Sequence, residues 1–337
     1  MRKPFVSFVA VAGALVLGFS GWNGVSAQAG KVAMLLPGSI NDQSWNAAGY
    51  AGLQKLKDQG IEVAYSENVQ AADHIEAMKD YARRGFSPVI GHSGRFLSAA
   101  QRVGPEFEKT YFLVGSGSGG AKNVISVDLA NEQFGYLVGV LAGRMTKTAK
   151  VAAVAGLEGL PNMTASIGGF RLGVKSVRPD AEVRVVYLQS MEDPAAAKEA
   201  AFSLIAGGAD VIAGKLNAGH AGIIQAAKEK NVYAVGRSFG HTAIAPERVL
   251  TNIYEKWADV YVTAVQDLRA GKLTTAYVAY GYHTSGTSGA DLLYTEGNGF
   301  NPAVPPAVVA EIDALKKKFA SGALKVTPAK DDARGGA

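Results

Sequence analysis

The chain has 337 residues, 48% of them hydrophobic, no cysteine and a formal charge of +5. That length suits two domains of ordinary size, and the missing thiols exclude disulfides, a zinc ribbon and a cysteine nucleophile. The positive charge is spread thinly: its one dense run, Lys316-Lys317-Lys318, falls in a helical pattern and reads as a solvated face, so no nucleic-acid partner is expected.

At the start of the chain, Arg2 and Lys3 precede an apolar run from Phe5 to Phe19, and Val25-Ser26-Ala27 is a small-x-small cleavage site. Residues 1–27 therefore read as an export signal, because the run is shorter than the ~20 residues a membrane span needs. With no cysteine to carry a lipid, a monomer diffusing in the periplasm is expected.

Strand and helix patterns then alternate. Residues 31–36 read as a buried strand, 45–59 as a helix stopped by Gly60, and 61–65 as a strand. A helix is expected over 72–84, a strand over 88–91, a helix over 96–107, and strands over 111–114 and 124–127. The pattern restarts with a helix over 132–145, a strand over 150–155, a helix over 166–177 and a strand over 182–187. Next come a helix over 194–206, a strand over 211–213, a helix over 219–230 and a strand over 233–235. A helix over 256–270, strands over 277–282 and 291–294, and a helix over 306–321 complete the ordered part. The polar tail, 327–337, is expected to be disordered.

This is the α/β pattern of two doubly wound parallel sheets in tandem. The expected lobes are 31–126 with about 253–285, and 127–252 with about 286–326. Ligands of such sheets sit at the carboxyl ends of the strands, and two lobes can close on a ligand about a hinge.

The loops at those strand ends supply the candidate site. Trp45, between Ser44 and Asn46 at a first helical turn, offers a flat face for stacking, worth ~1–3 kcal/mol per base; alternatively it packs on the lobe surface. Asn46 carries a donor and an acceptor that can read a heterocycle edge, or it caps the helix. Asp42 can accept from a ligand N–H or cap the same helix. His92, Phe96, Asn162, Met191, Asn217, Arg237, Ser238 and Glu255 complete the set, with a core alternative for Phe96 and Met191 and a surface alternative for Glu255. No H-E-x-x-H or H-x-E spacing marks a metal, no G-x-S-x-G marks a serine nucleophile, and the Gly-Ser string from Gly115 to Gly120 lacks the Lys-Ser/Thr of a P-loop. No metal, cofactor or catalytic unit is expected.

Several segments resemble the basic membrane protein family of ABC-importer substrate-binding proteins, whose nucleoside-binding branch is called purine nucleoside receptor A. Asn41-Asp42-Gln43-Ser44-Trp45-Asn46 is similar to the family's D-D-K-S-F-N opening, and Glu132-Gln133-Phe134-Gly135-Tyr136-Leu137-Val138-Gly139 to its E-x-x-x-G-Y-L-A-G helix. Gly168-Gly169-Phe170-Arg171-Leu172-Gly173 resembles its G-F-x-x-G segment, and Gly207-Gly208-Ala209-Asp210-Val211-Ile212 its G-A-D-V-I strand. The resemblance spans nearly the whole mature chain. It implies a type I periplasmic-binding-protein fold with a purine in the cleft and an ABC permease as partner. It puts Trp45 at the stacking position, Asn46 at the base-reading amide and Met191 near a second stacking aromatic.

Two departures bear on the sugar. Gly236-Arg237-Ser238 stands where the nucleoside branch has a ribose-gripping aspartate, and Glu255 stands where it has a lysine. They favour a free purine or purine-like base over a nucleoside, and Arg237 would suit an acceptor-rich ring. A sensor that presents its closed form to a membrane receptor, and a secreted nucleoside hydrolase, are the alternative functions.

Overall fold

The computed structural model describes residues 30–41 and 45–336. The expected export signal and Asp42 lie outside these described residues. In the first lobe the chain runs β1 (Lys31–Leu35), α1 (Trp45–Asp58), β2 (Glu62–Ser66), α2 (His74–Arg83), β3 (Val89–Gly91), α3 (Leu97–Val103), β4 (Phe112–Gly115) and β5 (Val124–Leu129). It continues in the second with α4 (Asn131–Met145), β6 (Lys150–Gly156), α5 (Pro161–Val177), β7 (Glu182–Leu188), α6 (Pro194–Ala206), β8 (Val211–Lys215), α7 (His220–Lys230), β9 (Tyr233–Gly236), α8 (Phe239–Ile244) and β10 (Val249–Glu255). The returning elements are α9 (Trp257–Arg269), β11 (Tyr277–Tyr280), β12 (Ala290–Leu293) and α10 (Pro306–Ala320). Among the described residues no helix is long and apolar enough to cross a membrane.

The strands form two six-stranded sheets, β11-β5-β4-β3-β1-β2 and β12-β10-β9-β8-β6-β7. The first is parallel throughout. In the second only β12, at one edge, runs antiparallel. The chain passes between the sheets after β5, after β10 and after β11. Such crossings are the short segments that absorb a hinge rotation. Because β5 continues to Leu129, the first crossing falls at Ala130, a few residues beyond the expected break after 126.

Several element ends differ from the sequence pattern for local reasons. The helix expected over 96–107 is shortened to α3 between two 3-10 turns. Pro105 has no N–H to return to the Gln101 carbonyl, so the α pattern gives way there. Helix α5 starts five residues early because Pro161 sits at its first position, where a fixed φ helps and a missing N–H costs nothing. Strand β10 escaped the pattern because Thr251 and Asn252 interrupt its apolar run, although both are fully buried.

The tail is the largest correction. Residues 327–336 are packed, not disordered. Arg171 on α5 donates from Nε to the Asp332 carbonyl and from Nη2 to the Arg334 carbonyl, both at 2.9 Å. The Tyr187 hydroxyl donates to the Ala333 carbonyl at 2.5 Å. Gly336 and Val185 exchange two backbone bonds at 2.8 and 2.9 Å, which covers part of the exposed edge of β7.

Helices α4 and α5 are pressed together through the glycines of the two G-rich segments. A Cβ on Gly139 would lie 2.1 Å from the Phe170 carbonyl oxygen, and one on Gly173 would lie 2.1 Å from that of Tyr136. These glycines therefore serve helix packing, not the ligand. Gly139→Ala is expected to cost about 3 kcal/mol, the upper end of ordinary overpacking, because only backbone can move. Urea unfolding of the variant beside the wild type checks this.

Candidate ligand cleft

The carboxyl ends of both sheets face a cavity of about 680 Å³, a volume that suits a small organic molecule. From the first lobe, Trp45 and Asn46 line it, with Ser93, Arg95 and Ser116. From the second come Asn162, Met191, Asn217 and Arg237, with Glu255 and Trp257 at the crossing.

Trp45 is the first residue of α1, held in place from several sides. Its ring stacks on His92 with centroids 4.1 Å apart and planes 14° from parallel. The Trp257 ring meets it edge-on at 5.0 Å. The indole N–H donates to the His92 carbonyl at 3.0 Å, and His92 Nε2 donates to the Trp45 carbonyl at 2.8 Å. Nε2 therefore carries a proton, and Nδ1 is hydrogen-bonded to the Tyr261 hydroxyl at 2.6 Å. Burial, reinforced by the charge of Asp128, pushes the Tyr261 hydroxyl well above its ordinary range and keeps it protonated. One face of Trp45 is thus occupied by the His92 imidazole, and the residue lines the cavity.

Three expected site residues lie elsewhere. His92 is fully buried beneath Trp45 and supports the ring instead of lining the cavity. Phe96 is fully buried in the first lobe, its ring stacked on His74 at 3.9 Å. The 3-10 turn of residues 94–96 carries it inward over Gly91. Ser238 precedes α8 and is not part of the cavity wall.

The others are placed as follows. Asn46 is buried, and its Oδ1 accepts from the Gly38 N–H at 3.1 Å, shaping the β1 loop. Asn162 lies in the first turn of α5. Met191 lies over Gly156, where a Cβ would be 2.4 Å from its Cγ. The Met191 carbonyl receives the N–H groups of Asn217 and Gly219, each at 3.0 Å. The Asn217 amide donates to Glu192.

Arg237 and Glu255 form an ion pair, and two groups absent from the expected set join it. Lys215, only 7% exposed, has its Nζ 3.5 Å from Glu255 and donates to Asn131 Oδ1 at 2.6 Å. Asp128 accepts from the Leu129 N–H at 2.8 Å and from the Ser116 hydroxyl at 3.3 Å. Both residues are at strand ends, but β8 and β5 were each read one or two residues too short to include them. Glu255 Oε2 also accepts from the Trp257 N–H at 2.9 Å, so the charge cluster and the stacking platform share one frame.

The environment divides the two carboxylates. Burial works to raise Glu255, but Arg237 and Lys215 beside it outweigh that and hold it at about 2. Burial dominates at Asp128 and lifts it to about 6, against the Leu129 N–H and Lys215. Burial lowers Lys215 despite the Glu255 charge next to it. Behind Arg237, His241 Nδ1 accepts the Arg237 backbone N–H at 2.9 Å, and burial and the Arg237 charge push its ring down to about 4.

Asp128 therefore carries a pH signature. Between its ordinary 3.8 and about 6 the folded state binds the proton and the unfolded state does not. Its contribution is present below 3.8 and is lost as pH rises through 6, about 3 kcal/mol in all. Asp128→Asn does not titrate. The variant should therefore gain on the wild type by about that amount between pH 4 and 7, read from paired thermal melts. The opposite slope from His241 is common to both proteins and cancels.

Residues 29–287 match the family described as ABC transporter substrate-binding protein, PnrA-like. Transcriptional activator protein Med of Bacillus subtilis (strain 168) is 29% identical over 245 residues, 72% of this chain and 76% of that protein. A purine-binding protein of Brucella abortus (strain 2308) is 27% identical over 256 residues, 74% of this chain and 72% of that one. Among solved structures, an ABC transporter solute-binding protein from Conexibacter woesei is similar with a TM-score of 0.70 at 27% identity, over 89% of this chain and 99% of that chain. With its two lobes, its cleft at the strand ends and a match over most of its length, this chain belongs to the PnrA-like family of ABC transporter substrate-binding proteins.

Proposed function

We propose that the protein captures a purine or purine-like base in the cleft and delivers it to an ABC permease in the inner membrane, after export to the periplasm. It acts as a monomer by binding and release, without covalent chemistry. The observation that carries this reading is the Trp45 ring, stacked face-on against His92 and lining a cavity of ligand size. A flat aromatic surface next to amide and charged groups suits a heterocycle that stacks with its faces and hydrogen-bonds with its edges. The similarity to a protein named for purine binding supports the same reading.

The free base is favoured over the nucleoside. Glu255 is engaged by both Arg237 and Lys215, and no free carboxylate and lysine pair stands there to grip ribose hydroxyls. Arg237 and Lys215 balance Glu255 and Asp128 in charge, so an uncharged ring enters without leaving an ion unpaired. Lobe closure follows from contacts that exist only when both lobes touch the ligand.

Calorimetric titration with adenine, hypoxanthine, adenosine and inosine tests this. The bases should bind, and the nucleosides more weakly; tighter nucleoside binding would reverse the preference. Incubation with inosine should release no hypoxanthine. Similarity to a protein named as a transcriptional activator favours a second reading, a ligand-responsive sensor. Co-purification of the ligand-loaded protein with a permease or with a receptor separates the two.

A further inference from the structure

Residues 157–160 join β6 to α5 and form the lip of the cleft on the second lobe. Leu157 and Leu160 both line the cavity, and Leu160 is 41% exposed, an apolar surface at the mouth of the cleft. Leu157 has φ 45°, and Gly159 follows at 87°. A leucine adopts the left-handed region only where its surroundings impose it, and such positions gather at ligand clamps.

The surroundings that hold this lip include the tail. The Leu157 N–H donates to the Leu188 carbonyl at 3.1 Å. Next to it, Glu158 accepts the Gly335 N–H at 2.9 Å. Gly335 is itself held firmly, by the bonds of Arg171 and Tyr187 to the residues before it and by the Gly336–Val185 pairing after it. Ala333, in the middle, is 4% exposed. The family match ends at residue 287, so this anchoring lies beyond the matched part of the chain.

We propose that residues 327–336 are a strap that positions the cleft lip through Glu158, so that Leu157 and Leu160 form an apolar wall for the ring face opposite Trp45. The proposal rests on reading the cleft as a base site. An aromatic plate on one lobe and an aliphatic wall on the other accept a flat ring by dispersion and desolvation. They disfavour a ligand with polar groups out of the ring plane. Glu158 and the strap do not touch the ligand; they act as positioning residues.

Glu158 is exposed, so its substitution leaves the core intact. Glu158→Ala should speed amide hydrogen exchange over 157–160 and weaken adenine binding about three- to tenfold, the loss of one charge-assisted hydrogen bond. The melting temperature should move little. Glu158→Gln keeps the acceptor and should restore most of both readouts, which an effect of the charge alone would not do. Leu160→Ala should weaken adenine similarly with exchange unchanged. Unchanged exchange in Glu158→Ala overturns the strap, and this arm needs no ligand. Wild-type adenine affinity in Leu160→Ala, with affinity lost in Trp45→Ala, overturns the wall while the base reading stands. A wild-type protein that binds no purine removes the wall together with that reading.

Discussion

Trp45→Ala is expected to weaken binding of adenine or hypoxanthine about 10- to 100-fold, the loss of one base–aromatic stack. The ring is the only part of α1 that combines a fixed face with access to the cavity. His92 holds it from below, Trp257 from the side, and its own N–H is already committed to the His92 carbonyl. A ligand therefore gains a surface that has already lost its freedom, and affinity benefits from that preorganisation. Trp45→Phe retains an aromatic face and should recover most of the affinity. The cost to stability should be moderate, because Trp45 is only half-buried and His92 keeps its bond to Tyr261. Calorimetry gives the affinity and thermal melts the stability. Full affinity in the alanine variant would mean that the ring only fills the lobe surface.

Glu255→Gln should be the most destabilising single change in the cleft, by about 3–5 kcal/mol at pH 7. The carboxylate stands between Arg237 and Lys215 and accepts the Trp257 N–H. An amide in its place would leave Arg237 and Lys215 repelling each other with only Asp128 to offset them. The sign with pH follows from its position at about 2, below the ordinary 4.5. The unfolded chain takes up the proton first, so the stabilisation is present above 4.5 and is lost as pH falls towards 2. The penalty of the variant should therefore shrink below pH 4.5, where the wild type loses the same charge. A constant penalty across that range would show that the carboxylate acts by shape alone.

Much of this arrangement could be read from local sequence. A buried strand followed by a polar loop and a helix placed Trp45 and Asn46 at the cleft, because the strand-end rule depends only on chain order. The rule says which loops lie at that end of the sheet, not which way each side chain turns. His92 and Phe96 come from one such loop, yet one supports the stacking ring and the other joins the core. Lys215 and Asp128 were lost for the opposite reason. Charged residues look like strand terminators, whereas here Lys215 is held at its strand end by Asn131 and Glu255, and Asp128 by the Leu129 N–H and the Ser116 hydroxyl. The tail was misread because its own composition is polar; what orders it are Arg171, Tyr187 and Val185, far away in sequence. The G-rich segments were recognisable as family features, but only the packing of α4 on α5 gives their physical reason.

Outside residues 1–27 the tryptophans of this chain are Trp45 and Trp257, in contact with each other and both in the cavity wall. Their fluorescence therefore reports on the cleft and on little else. The most direct measurement is a fluorescence titration of residues 28–337 with adenine and hypoxanthine, beside adenosine, glucose and leucine. A saturable quench by the bases, weaker with adenosine and absent with glucose and leucine, is the predicted result. Saturation by glucose or leucine with no response to any purine would contradict the proposed ligand and leave only the fold and the family.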